Sequence, residues 1–126
     1  MKIIDAHIHF CPGIESFRML AEQAGHRYTE EHLQAEFSRL GIEYAVVMGN
    51  RAPDEDVPVC PGFLHYCVGL DSGWEQLDEQ RLAELVEQHL RRPDCVGIKL
   101  YPGYRHRYVG DRRYAPLYEL AAQYDK

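Results

Sequence analysis

The sequence predicts an α/β fold of about four parallel strands flanked by helices. Three observations carry this expectation. Four short runs rich in Val, Ile and aromatic residues are bounded by Gly, Pro or Asp. Helical periodicity fills most of the intervals between them. The strand runs are also nearly continuous in apolar character, as strands of a helix-covered parallel sheet are.

The first strand is expected over residues 2–10, KIIDAHIHF. Alternation of strand side chains would point Asp5, His7 and His9 one way and Ile4, Ala6, Ile8 and Phe10 the other. Ile14, Phe17, Ala21 and Ala24 then recur at helical spacing. A second helix is expected from Thr29, its cap, through Leu33, Phe37 and Leu40 to Gly41, which ends it. The second and third strands read at 44–49 and 63–71, the fourth at 95–101. Between the second and third lies NRAPDEDVPVCPG, residues 50–62, too interrupted by proline for a crossover helix and expected as a loop. The longest helix is expected at about 74–91, capped by Asp71 or Ser72, with Leu82, Leu85, Val86 and Leu90 on one stripe and Trp74 anchoring its start. A last helix begins near Tyr114 and turns Leu117, Leu120, Ala121 and Tyr124 inward.

The chain has 126 residues, 45% hydrophobic and 27% charged, which fits one domain over 1–126. A net charge of −6 argues against nucleic acid or an anionic membrane as a partner. No run approaches the roughly 20 apolar residues of a membrane span. The chain enters its first strand without a signal-like apolar core, so a cytoplasmic location is expected. Cys11, Cys60, Cys67 and Cys95 form no C-x-x-C pair and read as reduced thiols. Cys67 and Cys95 are expected in the core, while Cys11 follows the histidine pair directly.

Two imidazoles side by side on a strand need a shared partner, and a divalent metal is the natural one. His7 and His9 are therefore the expected ligands, with Asp5 supporting them from below. Two core histidines satisfied by hydrogen bonds are the plainer reading of the same motif. Lys99 is the second candidate, because a lysine in an apolar strand is costly to bury without a partner. It is expected to pair with a substrate anion or a ligand carboxylate, or to take up CO2 as a carbamate. The segment after it, YPGYRHRYVGDRRY, is dense in Tyr, Arg and His. Tyr101, Arg105 and His106 are its candidates for substrate binding, and Arg107, Arg112 and Arg113 would also suit a carboxylate. His65 reads as structural and away from the reactive face. His26, His32 and His89 read as surface residues.

The opening IDAHIHF resembles the D-x-H-x-H first strand of the amidohydrolase superfamily. The run VGIKLYPGYRHRYVGDRRYAPLYELAAQYDK is similar to the fourth-strand and helix segment of its amidohydrolase-2 branch, which holds metal-dependent hydrolases and nonoxidative decarboxylases. The resemblance implies a (β/α)8 TIM barrel with one divalent metal, usually zinc, with manganese or iron as alternatives. His7 and His9 would be its first two ligands, and Lys99 would hold the fourth-strand lysine position. It implies cleavage of a C–N or C–O bond of a small carboxylated substrate, or a related decarboxylation. Such a barrel takes roughly 250 residues, so this chain is expected to be its N-terminal half. The ligands expected from the fifth, sixth and eighth strands have no counterpart here, and the half is expected to be inactive by itself.

Two other readings follow from the same residues. Phosphoesterases of the PHP type and nucleases of the TatD type also begin with an Asp, His, His strand. Alternatively, a non-catalytic half-barrel could fold as a homo-oligomer or against a missing C-terminal half.

Overall fold

The computed structural model describes residues 2–57 and 59–126. Four strands form one sheet: β1 (Ile3–Ile8), β2 (Ile42–Met48), β3 (Leu64–Gly69) and β4 (Cys95–Lys99). All three neighbouring pairs are parallel, and the spatial order is β1-β2-β3-β4. The order advances in one direction without the reversal that marks a doubly wound sheet. The helices are α1 (Glu15–Gln23), α2 (Glu30–Leu40), α3 (Glu79–Leu90) and α4 (Ala115–Gln123). Among the described residues no helix is long and apolar enough to cross a membrane.

The helix ends follow their capping residues. Thr29 Oγ1 accepts from the His32 amide at 3.2 Å, and Gly41 closes α2 at φ +74°, a conformation open to glycine. The long helix starts later than the periodicity suggests. Asp78 caps α3 by accepting from the Arg81 amide at 2.7 Å, while Trp74 lies in a separate 3-10 turn, Trp74–Gln76. Asp71 is thereby released from the expected capping role.

The core lies between one face of the sheet and the helices. Ala45, Val47, Leu64, Tyr66, Val68 and Cys95 meet Phe37 of α2, Leu82, Val86 and Leu90 of α3, and Leu117 of α4. Trp74 is fully buried against Tyr114, ring centroids 5.6 Å apart. The loop between β2 and β3 covers the sheet where a crossover helix would otherwise sit. Three side chains from the end of α3 and beyond hold it down: His89 Nε2 donates to Pro53 O at 3.0 Å, Arg92 Nη1 to Val57 O at 2.7 Å, and Asp94 accepts from the Cys60 amide at 3.0 Å. Beneath the loop remains a cavity of about 150 Å³ lined by Val47, Leu64, Tyr66 and Val68. His89, expected at the surface, is buried here. A carbonyl only accepts, so His89 Nε2 carries the hydrogen and Nδ1 receives the Tyr66 hydroxyl at 2.9 Å.

Both edge strands carry one extra residue. From Asp5 to Ile8 is three steps on β1, while their partners Ala45 and Val47 are two steps apart on β2. Likewise Cys95 to Gly97 on β4 takes two steps against one from Tyr66 to Cys67 on β3. Each irregularity shifts the residues after it to the other face. Asp5 therefore shares the helix-covered side with buried Ala45, whereas His7 and His9 flank Ile8 and face the opposite, open side. The expectation that all three point one way fails at this bulge. Lys99, paired with Gly69, is carried to the open side in the same manner.

Candidate active site

The C-terminal ends of all four strands contribute to one cluster. At the end of β1 the Nε2 atoms of His7 and His9 stand 3.3 Å apart. His9 Nδ1 donates to the amide oxygen of Asn50, just past β2, at 2.6 Å. In a neutral imidazole this fixes the hydrogen on Nδ1 and leaves the Nε2 lone pair available toward His7. The His9 ring also stacks on Phe17 of α1, centroids 5.8 Å apart, which holds its plane. The His7 amide donates to Asp5 Oδ1 at 3.0 Å, so Asp5 braces the bulge through the backbone rather than supporting the rings. Its side chain lines a cavity of about 400 Å³ against α2.

Lys99 is 7% exposed at the end of β4. Its amine donates to Gly49 O at 3.3 Å, lies 3.7 Å from the centre of the Tyr101 ring, and is 3.9 Å from Asp71 Oδ1. Neither Asp71 oxygen has a hydrogen-bond partner, although both are buried. Burial pushes the Asp71 carboxyl above its ordinary value, while Lys99, Arg105, His9 and the Asn50 amide pull it back. Arg105 also pairs with Glu75 at 3.4 Å.

Of the loop's other cations, Arg112 is exposed, while Arg107 and Arg113 are committed to structure. Arg113 donates to the carbonyls of Glu75 and Leu77 at 3.2 and 2.8 Å, and Arg107 pairs with Asp111 at 3.0 Å. Both guanidinium groups stand over the Trp74 ring. His106 is exposed at φ +51°; among the described contacts, none joins it to the cluster. The structure thus brings His7, His9, Lys99, Tyr101 and Arg105 to one end of the sheet, and leaves Asp5 and His106 elsewhere.

Cys11, buried beside Asn50, has its thiol pushed up by burial, as have Cys67 and Cys60, the last to about 11. These thiols stay protonated at neutral pH and offer no nucleophile.

Comparison with known proteins adds little to this geometry. No family model matches the chain, and no solved structure matches it. Bone morphogenetic protein 15 from Ovis aries is similar over 70 residues at 33% identity. Those residues are 55% of this chain but 17% of that protein, a span that assigns neither fold nor activity.

Asn50 and Asp71 are the cluster members that sequence reasoning missed. Both immediately follow or closely follow a strand's C-terminal end, where parallel sheets place functional side chains, and that position was their available signal. His65, expected away from the reactive face, proves to be on it. It pairs with Val46 and so lies on the open face, but at the opposite end from Lys99.

Proposed function

We propose that the sheet is one half of an amidohydrolase-2-like (β/α)8 barrel, and that His7 and His9 hold a divalent metal, zinc before manganese or iron. The sequential parallel order of the strands supports the barrel, since barrel strands neighbour one another in chain order. The single observation that carries the metal is the imidazole pair. With Zn–N bonds of about 2.0–2.1 Å, two tetrahedral ligands stand roughly 3.3 Å apart; His7 and His9 show 3.3 Å. The second nitrogen of His9 is held by an amide oxygen, as the outer nitrogens of metal-bound histidines are. Among the described residues no three His, Cys, Asp or Glu side chains converge, so a complete site of this kind would need ligands from outside them.

A metal held there polarises a carbonyl and lowers the pKa of water. This chain's own residues bind and orient. Lys99 and Arg105 attract a carboxylate, Tyr101 shields the amine from solvent, and Asp71, already pushed toward its neutral form, is suited to take up a proton. The reaction class is hydrolysis of a C–N or C–O bond in a small carboxylated substrate, or decarboxylation of one. Four free thiols support a reducing, cytoplasmic setting.

Native mass spectrometry of the full chain with added zinc tests the metal site. H7A/H9A is expected to bind one zinc fewer than the wild type. An undiminished complement in that variant would defeat the assignment.

A second reading concerns the partner. The open side of the sheet exposes Ile4 by 67%, Tyr44 by 44% and Val96 by 37%, and β1 and β4 have unpaired edges. Another copy of this chain, or the other half of a barrel, would cover them. Sedimentation of dilute chain is expected to show association that Ile4→Glu weakens; a compact monomer throughout would rule out self-pairing.

A further inference from the structure

We propose that the cavity beneath the loop between β2 and β3 is a binding site for one neutral, benzene-sized aromatic molecule. It lies on the helix-covered face of the sheet, so its occupancy does not depend on a metal at His7 and His9. Its volume is about 150 Å³, and its floor is the buried side chains of Val47, Leu64, Tyr66 and Val68. An engineered apolar cavity of that size in another protein stays dry and takes up benzene.

The void follows from the sequence above it. The prolines of residues 50–62 exclude a crossover helix, and a loop brings fewer side chains to the sheet than the apolar stripe of a helix would. The loop is nonetheless held in place. Its bonds to His89, Arg92 and Asp94 secure Pro53, Val57 and Cys60 over the sheet, so the roof does not drop into the gap. The lining residues Pro12, Glu30 and Val59 are exposed, which leaves the cavity open to solvent on their side.

The lining selects a neutral, apolar occupant. Among the described residues, the buried side-chain nitrogen and oxygen atoms without hydrogen-bond partners belong to His65, Asp71 and Trp74, and none of these lines the cavity. His89, in its wall, commits one ring nitrogen to Pro53 O and the other to the Tyr66 hydroxyl. Arg51 donates to Pro12 O at 2.8 Å and pairs with Glu55 at 3.5 Å. A buried water needs roughly two to four polar partners, which these side chains do not offer. An ionic ligand would lose its hydration without meeting a free counter-charge. An apolar molecule instead restores the dispersion contacts that the void forfeits. The rings of Phe10 and Tyr66 add edge and face contacts that favour an aromatic one.

The test is a benzene titration of the full chain, read by backbone amide NMR shifts and by thermal unfolding. Saturable shifts at residues around the cavity are expected, with a higher melting temperature at saturation. Sodium benzoate, the same ring bearing a charge, is expected to leave those amides unmoved; shifts from it at Lys99 and Arg105 would report the other site alone. Val57→Phe fills the void from the loop and Val68→Leu from the sheet. Each is expected to weaken benzene about tenfold, and either suffices if the other fails to fold. Benzene shifts that never saturate overturn the proposal. So does movement of the cavity amides by benzoate to the same extent, or full benzene affinity in a folded filled variant.

Discussion

The Lys99 amine lies 3.9 Å from the Asp71 carboxylate and 3.3 Å from the Gly49 carbonyl, so one buried cation ties the ends of three strands together. Lys99 is the largest of the attractions that offset the burial of Asp71, ahead of Arg105, His9 and the Asn50 amide. Removing the cation leaves that burial only partly compensated. Lys99→Met is therefore expected to cost about 1–3 kcal/mol, measured by urea unfolding at neutral pH. The double variant with Asp71→Asn should recover part of that loss. A double variant whose losses simply add would show that the two groups are uncoupled.

Asp71 also sets a pH trend. Its carboxyl is raised above 3.8 when folded, so the folded chain holds this proton more tightly than the unfolded chain. The associated stability is present below pH 3.8 and is lost as pH rises through the folded value. Asp71→Asn removes the titration. The difference in stability between wild type and Asp71→Asn should shift in the variant's favour as pH climbs from 3.8, measured by unfolding at a series of pH values.

How much of this was legible beforehand varies residue by residue. The strands were readable because β-branched runs end at Gly, Pro or Asp, and α2 because Thr29 and Gly41 bracket it. The start of α3 was misread because Asp71 and Asp78 are both competent caps, and only tertiary packing of Trp74 against Tyr114 decides between them. The chemistry on β1 was readable from His7 and His9, but its facing was not. A bulge changes the alternation without leaving a glycine or proline to mark it, so Asp5 looked equivalent to the histidines. His89 looked exposed because its partners, Tyr66 and Pro53, are 23 and 36 residues away.

Gly49 and Gly69 mark a close crossing of backbones at the site's floor. A Cβ on Gly49 would stand 2.6 Å from both Cys67 O and Gly69 N. Neither backbone atom can yield without moving β3. Gly49→Ala is expected to destabilise the fold by about 1–3 kcal/mol and to displace the carbonyl that receives Lys99. Thermal unfolding checks the first effect. A variant with the wild-type melting temperature would show that the strands are free to separate here.

His89 makes the proline-rich loop sensitive to acid. Burial holds its imidazole below 6.5 in the folded chain, and both ring nitrogens are engaged in the neutral form. The stability it contributes is present above pH 6.5 and lost as pH falls through the folded value. Protonation would leave Nδ1–H facing the Tyr66 hydroxyl hydrogen, forcing that hydroxyl to turn. Limited proteolysis of residues 50–62 should accelerate as pH drops from 7.5 to 5.5, and His89→Gln should flatten that dependence. Equal acceleration in the variant would assign the effect to another group.

Asp94 gives the loop its second anchor and a test of the same sign at lower pH. Its two oxygens take Arg92 Nε at 2.9 Å and Nη2 at 2.7 Å, and Oδ2 also takes the Cys60 amide. The Arg92 guanidinium is the main reason the carboxyl is held down to about 2, with the Cys60 amide assisting. The folded chain thus releases this proton more readily than the unfolded one. The resulting stability is present above pH 3.8 and disappears as pH falls toward 2. Asp94→Asn keeps the shape and can still accept from one donor, but it loses the charge that aligns Arg92. We expect a cost of about 1–3 kcal/mol at pH 7, shrinking to little below pH 2, where the wild-type carboxyl is protonated as well. Urea unfolding at pH 7 and pH 2 decides it. A variant equally destabilised at both would mean that the shape of the Asp94 contact, rather than its charge, holds the loop to α3.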